Sequence, residues 1–292
     1  MNQRALLSIN THARNGKESL KEVVTTLENL DFELIVKPDQ KPEQLSQLIY
    51  QYQDQIDLVI VGGGDGTLNA VAEALLKTKL PLGILPLGTA NDLARTLNIP
   101  ESIPEAAKII AFGEIKQIDL GCVNDKYFFN VASLGLSVKI TQNLSKGAKR
   151  RFGVLAYLFT ALKVIVKTRP LRAVIRCNDQ SIKVKTLQIA VGNGRYYGGG
   201  MAIAEDAAID DQLLNLYSLE IKHWWQMFPL IWSLPGGKHK HLSGVRTLKA
   251  KYIEVDTRKP HKINTDGELT TSTPASFSLI SKAISVFVPL RE

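Results

Sequence analysis

The sequence holds only two cysteines among 292 residues, Cys122 and Cys177, far apart and without metal-ligand spacing. That leaves no cysteine-based metal site and fits a reducing compartment in which both thiols are small buried side chains. Histidine is scarce too. The five histidines form no H-x-x-x-H pair on a helix, and His239 and His241 flank Lys240 in a tract better suited to solvent than to a metal. No apolar run approaches the roughly 18 residues that a membrane-spanning helix needs. The run from Ala5 to Ile9 is too short for a signal h-region. No G-x-x-x-x-G-K-[ST] occurs, so there is no P-loop, and the glycine spacing does not fit the dinucleotide fingerprint G-x-G-x-x-G. Acidic residues are in the minority, 28 against 36 basic ones, for a net charge of +8. That balance favours an anionic partner, nucleic acid or an acidic membrane surface, without choosing between them.

What is present is the length for two domains, with 45% apolar and 22% charged residues as in ordinary globular proteins. The most informative run is Ile60-Val61-Gly62-Gly63-Gly64-Asp65-Gly66-Thr67-Leu68-Asn69. It leaves an apolar stretch, Ile56 to Val61, and opens a helical pattern carried by Leu68, Val71, Ala72, Leu75 and Leu76. A glycine loop between a strand and a helix start offers unpaired N–H groups and close main-chain approach to a phosphate. An aspartate inside it suits an anion only with a divalent cation between them. The loop reads as a site for a metal-bound nucleotide; the competing reading is a Gly-rich structural turn.

The first third alternates strands (Leu6 to Ile9, Phe32 to Val36, Ile56 to Val61, Leu82 to Leu85) with helices (Leu20 to Leu27, Leu45 to Tyr52, Leu68 to Leu76, Asn91 to Leu97). Such alternation implies a parallel sheet with helices on both faces and ligands beyond the carboxyl ends of the strands. From about residue 115 helical periodicity fades, except around Phe152 to Val166 and Trp224 to Trp232. Short β-rich runs appear instead: Lys126 to Val131, Ala173 to Arg176, Thr186 to Val191, Leu213 to Ser218, Tyr252 to Asp256, Ala275 to Leu279 and Ile284 to Val288. They predict an antiparallel second domain, with the junction near residues 120–125.

These residues resemble the diacylglycerol kinase-like lipid kinases, in their YegS-type branch. The resemblance rests on Gly62 to Thr67 with Asn69, and on Leu85-Pro86-Leu87-Gly88-Thr89-Ala90-Asn91-Asp92. It continues through Ile118-Asp119-Leu120-Gly121, Phe129-Asn130, Gly192-Asn193-Gly194 with Gly198-Gly199-Gly200, Ala207 to Leu214, and Asp266-Gly267-Glu268. It implies the NAD kinase/diacylglycerol kinase-like fold. Residues 1–124 would form a Rossmann-like α/β nucleotide domain, and 125–292 a C-terminal antiparallel β-sandwich for the lipid, the last residues packing back on the first domain. It also implies ATP- and Mg²⁺-dependent phosphorylation of a lipid hydroxyl, in diacylglycerol or a related lipid alcohol, within the cleft between domains.

Phosphoryl transfer needs the phosphates held, their charge neutralised and the acceptor oxygen aligned. Gly64, Gly66 and Thr67 would supply main-chain N–H groups, with the Thr67 hydroxyl beside them and Gly63 in the same nucleotide-binding loop. Asp65 would hold Mg²⁺, directly or through water, or cap the helix that follows. By resemblance Leu68, Asn69 and Ala70 complete the nucleotide-contacting segment, Asn10 lies near the nucleotide, and Lys37 stands where relatives carry a threonine. Thr89 would face a phosphate or serve as an N-cap. Asn91 and Asp92 start the same helix, Asp92 joining a water-linked metal network or favouring the helix N-terminus. The tripeptide Asp266-Gly267-Glu268 read alone is a hairpin turn; the resemblance makes it the catalytic segment, with Glu268 as general base. The resemblance places a second, structural cation at Asp211 with the carbonyls of Ala208 and Leu213. There Asp-Gly is usual, and this chain has Asp211-Gln212, which tolerates φ > 0 poorly. The loop Asn10 to Gly16 is longer than its counterpart and lacks proline.

Two segments offer contact with an anionic membrane. One is basic around Phe152 to Phe159 (Lys146, Lys149, Arg150, Arg151, Lys163, Lys167 and Arg169); the other runs from Trp224 to Trp232 and on to His241. Each also fits a core helix. The expected setting is cytoplasmic with peripheral membrane association, a homodimer being an open option. No RNA motif supports nucleic acid as partner. The competing functions are an NAD kinase-like phosphotransferase, which shares the Gly-Gly-Asp-Gly loop, and a catalytically impaired, nucleotide-regulated membrane-binding protein.

Overall fold

A computed structural model describes residues 3–11, 16–143, 168–197, 201–202, 208–221 and 244–290. The Trp224 to His241 segment, the basic segment from Lys146 to Lys167, Gly198 to Gly200 and most of the Asn10 to Gly16 loop lie outside the described residues.

The chain begins with β1 (Gln3–Ile9), α1 (Gly16–Glu28), β2 (Phe32–Val36), α2 (Pro42–Tyr52) and β3 (Leu58–Gly63). Next come α3 (Asp65–Asn69), α4 (Ala72–Thr78), β4 (Leu82–Pro86), α5 (Asp92–Thr96) and α6 (Ile103–Phe112). β1 to β4 are parallel in the order β2-β1-β3-β4. Their near-continuous apolar runs, such as Leu58 to Val61, are buried on both faces, as a sheet covered on both sides requires. α1 packs with α6 and α2 with α4. The single helix expected from Leu68 to Leu76 is two, because the chain turns at Ala70 and Val71 and α4 restarts from Val71.

The chain continues through β5 (Glu114–Val123), β6 (Lys126–Phe128), β7 (Val131–Gly135), α7 (Leu136–Asn143), β8 (Leu171–Cys177), β9 (Gln180–Thr186) and β10 (Gln188–Gly192). It ends with β11 (Tyr196–Tyr197), β12 (Met201–Ala202), β13 (Leu214–Leu219), β14 (Val245–Ala250), β15 (Tyr252–Thr257), β16 (Lys262–Thr265), β17 (Glu268–Ser272) and β18 (Ala275–Val288). An antiparallel sheet, β14-β13-β10-β7-β16-β17, packs against β15, β8 and β9 around Phe128, Ile175, Leu216, Ile253, Ile263 and Phe277. The architecture is thus a mixed α/β unit followed by a β-sandwich, as expected.

The two units share one sheet through β18. Its first half pairs antiparallel with β15, and Val286 near its end pairs parallel with Leu82 of β4. β5 pairs along it nearly throughout, across an irregularity between Ile280 and Ile284 where Lys282 takes φ 50°. The runs Ala275 to Leu279 and Ile284 to Val288 are therefore one strand, re-aimed by a bulge as it passes from one unit to the other.

Candidate active site

Two loops meet at the carboxyl ends of β3 and β4, and glycine is what lets them touch. A Cβ on Gly88 would stand 2.4 Å from the Cα of Gly64 and 2.7 Å from Asn91 Oδ1. A Cβ on Gly63 would stand 2.7 Å from Thr67 Oγ1, so the threonine side chain folds back over that glycine. Leu87 N–H donates to the carbonyl of Gly63 at 3.1 Å, and Asn10 N–H to that of Gly62 at 2.9 Å. The ends of β1, β3 and β4 are thereby drawn together. Part of the glycine content is structural, then, and the remainder exposes main chain: Gly64 is extended and N-caps α3. The first N–H groups of α3, from Asp65 and Gly66, have no acceptor within their own helix. Thr67 N–H does have one, the carbonyl of Gly64 at 2.9 Å, so only its hydroxyl is left for a ligand.

Asp65 does not cap the helix it begins. Its carboxylate accepts the N–H groups of Asp92 (3.1 Å) and Leu93 (3.0 Å) at the start of α5, and Asn130 Nδ2 at 3.2 Å. One carboxylate therefore fixes the second loop to the first and both to the β-sandwich. Three donors leave it little capacity for direct ligation of a cation. Among the described residues no three His, Cys, Asp or Glu side chains converge on one point. That donor set fits a magnesium ion that arrives coordinated by phosphate oxygens, rather than one held in a protein cage.

Asn91 is 2% exposed, with φ 52°. Its side chain accepts Gly88 N–H at 2.9 Å and donates to the carbonyls of Pro86 and Gly88. It holds the loop from beneath instead of reaching outward. Thr89 is exposed on the loop, and the N-cap of α5 is Asn91, so the threonine is not the cap. Leu68 points into the core, and the Ala70 carbonyl accepts Ser46 Oγ. The Ala70 side chain is half-buried against the same core.

Across the cleft, the β16–β17 hairpin turns at Asp266 (φ 47°) and Gly267 (φ 100°). The Asp266 carboxylate accepts Asn69 Nδ2 (2.9 Å) and the N–H groups of Phe129 (2.7 Å), Asn130 (3.0 Å) and Val131 (3.0 Å). Burial pushes its pKa up to about 6, against the pull of these donors and with the Asp65 charge adding to the rise. Four accepted bonds take up the lone-pair directions of a carboxylate, so Asp266 has none left for a reacting group. It locks the hairpin to β7 and to α3. The lock carries Glu268 to the first loop: its Oε1 lies 3.4 Å from where a Cβ on Gly66 would be, and the side chain is exposed to the cleft.

Sequence reasoning passed over three residues of this arrangement, although all lie in the runs it singled out. Asn130 joins Asp65, and its Oδ1 is buried without a partner among the described residues. Asn193 Nδ2 bridges the carbonyls of Asp119 and Phe129, both at 2.9 Å. Asp119 itself accepts Gln212 N–H and Lys282 N–H, each at 2.8 Å.

Asp211, Ala208 and Leu213 belong with Asp119, apart from the loops. The Asp211 carboxylate accepts N–H groups from Leu213, at 2.9 Å, and Ala208. Burial raises its pKa, and Asp119 adds to the rise. Gln212 takes φ 60°, the glycine-like conformation, and its N–H bond to Asp119 accompanies that turn. Gln212 thus holds a backbone conformation in which a glycine would also sit without strain.

Residues 4–123 match the diacylglycerol kinase catalytic domain, and residues 130–288 match the YegS C-terminal NAD kinase beta sandwich-like domain. A "Probable lipid kinase YegS-like" of Klebsiella pneumoniae is 32% identical over 98% of this chain and 96% of its own length. A "Diacylglycerol kinase" of Staphylococcus saprophyticus is 27% identical, covering 94% of this chain and 90% of its own. The crystal structure of a diacylglycerol kinase from Bacillus anthracis superposes with a TM-score of 0.82 at 24% identity, covering 98% of this chain and 97% of that one. The likeness of fold thus runs through both units.

Proposed function

The chain belongs to the diacylglycerol kinase-like lipid kinases of the YegS branch, and from that premise we propose that it transfers the γ-phosphoryl group of ATP, delivered with Mg²⁺, to the hydroxyl of diacylglycerol or a related lipid alcohol. The observation that carries this reading is the placement of Glu268 over Gly66. It sets a carboxylate from the β-sandwich against the loop with unpaired main-chain N–H groups.

In this reading Gly64, Asp65 and Gly66 present N–H groups to the phosphates, with the Thr67 and Thr89 hydroxyls and Asn10 at the rim. Preorganised donors of this kind stabilise the charge on the transferring group without reorganising. Glu268 accepts the proton of the acceptor hydroxyl as transfer proceeds, since an alcohol is not deprotonated beforehand. Asp65 and Asp266 are positioning residues: the first joins the two loops, the second holds the Glu268 hairpin. Asn69 acts through Asp266, and Asn91 through its loop. Asp211 with its neighbours, whose backbone keeps the left-handed turn at Gln212, is the candidate for a structural cation.

The proposed setting is the cytoplasmic face of an anionic membrane, reached without a spanning segment. Among the described residues no helix is long and apolar enough to cross a bilayer. Incubation with MgATP labelled at the γ position, offering NAD and mixed lipids in parallel, tests the reading. Label in a lipid phosphate supports it, and label in NADP alone overturns it.

A further inference from the structure

At the far end of β7 from Asp266, the β-sandwich holds a cavity of about 260 Å³. Gly135, Val138, Lys139 and Gln142 line it from the end of β7 and from α7; Thr168, Arg169 and Leu171 from the approach to β8; and Leu187 with Pro260, His261 and Lys262 from the starts of β10 and β16. Four lining side chains are cationic or can become so, and none of the described lining residues is an aspartate or glutamate.

Lys139, Arg169 and Lys262 are exposed and His261 is half-buried, so solvent screens much of the cost of gathering like charges here, and what remains favours an anion. The His261 imidazole registers that cost: burial lowers its pKa first, and the Lys139 ammonium lowers it further, with no carboxylate acting in the other direction. The geometry suits an oxyanion. Arg169 offers a planar fork of donors, Lys139 and Lys262 offer point charges, and the single N–H of the His261 ring adds a further donor. Gln142 and Thr168 are described lining residues on either side of a stretch that lies outside the described residues. The intervening residues, 144–167, contain lysines and arginines but no aspartate or glutamate. The pocket thus lies beside the points where a basic stretch of sequence joins the described fold.

We propose that Lys139, Arg169, His261 and Lys262 form a binding site for a phosphate-class anion, separate from the phosphoryl-transfer cleft. The anion is either a free phosphate or phosphomonoester, or the headgroup of an anionic phospholipid. The site does not depend on the lipid-kinase reading, because its occupancy can be read without turnover.

The test uses the full chain and the His261 ring resonances, assigned by comparison with His261→Gln. Inorganic phosphate, titrated at constant ionic strength against chloride, is expected to move these resonances saturably. Loss of two charged donors in Arg169→Ala/Lys262→Ala is expected to weaken that binding about tenfold or more. In parallel, flotation with phosphatidylglycerol vesicles is compared with phosphatidylcholine vesicles for the same pair of proteins. A response to phosphate alone assigns a soluble ligand. Flotation on phosphatidylglycerol that the double variant loses assigns a lipid headgroup. Absence of both responses, or equal responses in the double variant, overturns the site. Lys139→Gln gives an independent check should the double variant melt differently from the parent.

Discussion

Asn69 Nδ2 donates to Asp266 Oδ2 at 2.9 Å and to the carbonyl of Tyr127 at 2.9 Å, from a helix in the α/β unit to a hairpin of the β-sandwich. That pair, with Asp65 and Asn130, fixes how the first loop faces Glu268. Beside the strand β18 that the two units share, a few carboxylate–amide contacts set how they face each other across the cleft.

The Asp266 lock titrates. Its carboxyl rises from the ordinary 3.8 to about 6. The folded chain therefore keeps a proton through that window which the unfolded chain has released, and the contribution of Asp266 to stability falls as pH rises across it. The lock runs the other way, because four N–H donors require the ionised carboxylate. The profile of kcat/KM against pH should rise through about 6, and Asp266→Asn should lack that inflection. The amide sets its NH₂ against N–H donors, so the variant should also be less stable by about 1–3 kcal/mol in denaturant titration.

Gly88→Ala should separate the two loops. The added methyl would fall 2.4 Å from the Cα of Gly64, where backbone has no room to yield. The kcat/KM for ATP should fall by about a hundredfold, the scale expected for a displacement of roughly 1 Å at a reacting centre. Gly267→Ala is the contrast. Its Cβ would meet nothing within 4 Å, although φ is 100°, so it should cost about 1–2 kcal/mol of backbone strain with little change in kcat/KM.

Asp65→Ala should strip α5 of its cap. The N–H groups of Asp92 and Leu93 would lose their acceptor, at about 0.5–2 kcal/mol by the usual cost of a lost cap. A fall in thermal midpoint together with a higher KM for ATP would identify the residue as a link between loops. A fall in activity with unchanged stability would contradict that role.

Gln212→Gly should stabilise the protein. Gln212 occupies φ 60°, and glycine there relieves about 1–2 kcal/mol of left-handed strain, offset in part by unfolded-chain entropy. Calorimetry should show a raised midpoint with phosphoryl transfer unchanged.

Much of this was legible in the residues. Alternating apolar runs gave β1 to β4 because a covered parallel sheet needs little beyond hydrophobicity and turn residues. α6 was missed, although Ile103, Ala106, Ala107 and Ile110 have helical spacing, and so were α7 and the strands β5, β7, β9, β11, β12, β14, β16 and β17. The joining of two apolar runs into β18 could not be read, since Ser281 and Lys282 between them resemble a turn and act as a bulge. Within the site, the glycines and carboxylates were found by residue type. Their partners were not, because Asp65 bonds to residues that are distant in the chain. Sequence spacing carries no information on whether a carboxylate meets N–H donors or a cation. For that reason Asp266 was read as a reacting group when its position makes it a lock.

The central claim is that Glu268 accepts the proton from the lipid hydroxyl. Lipid phosphate formed from MgATP by Glu268→Gln, separated by thin-layer chromatography, tests it most directly. Removing a general base should lower kcat by about 10²–10⁴-fold while the KM for ATP and the melting temperature stay near those of the parent. Turnover within a few-fold of the parent would contradict the account.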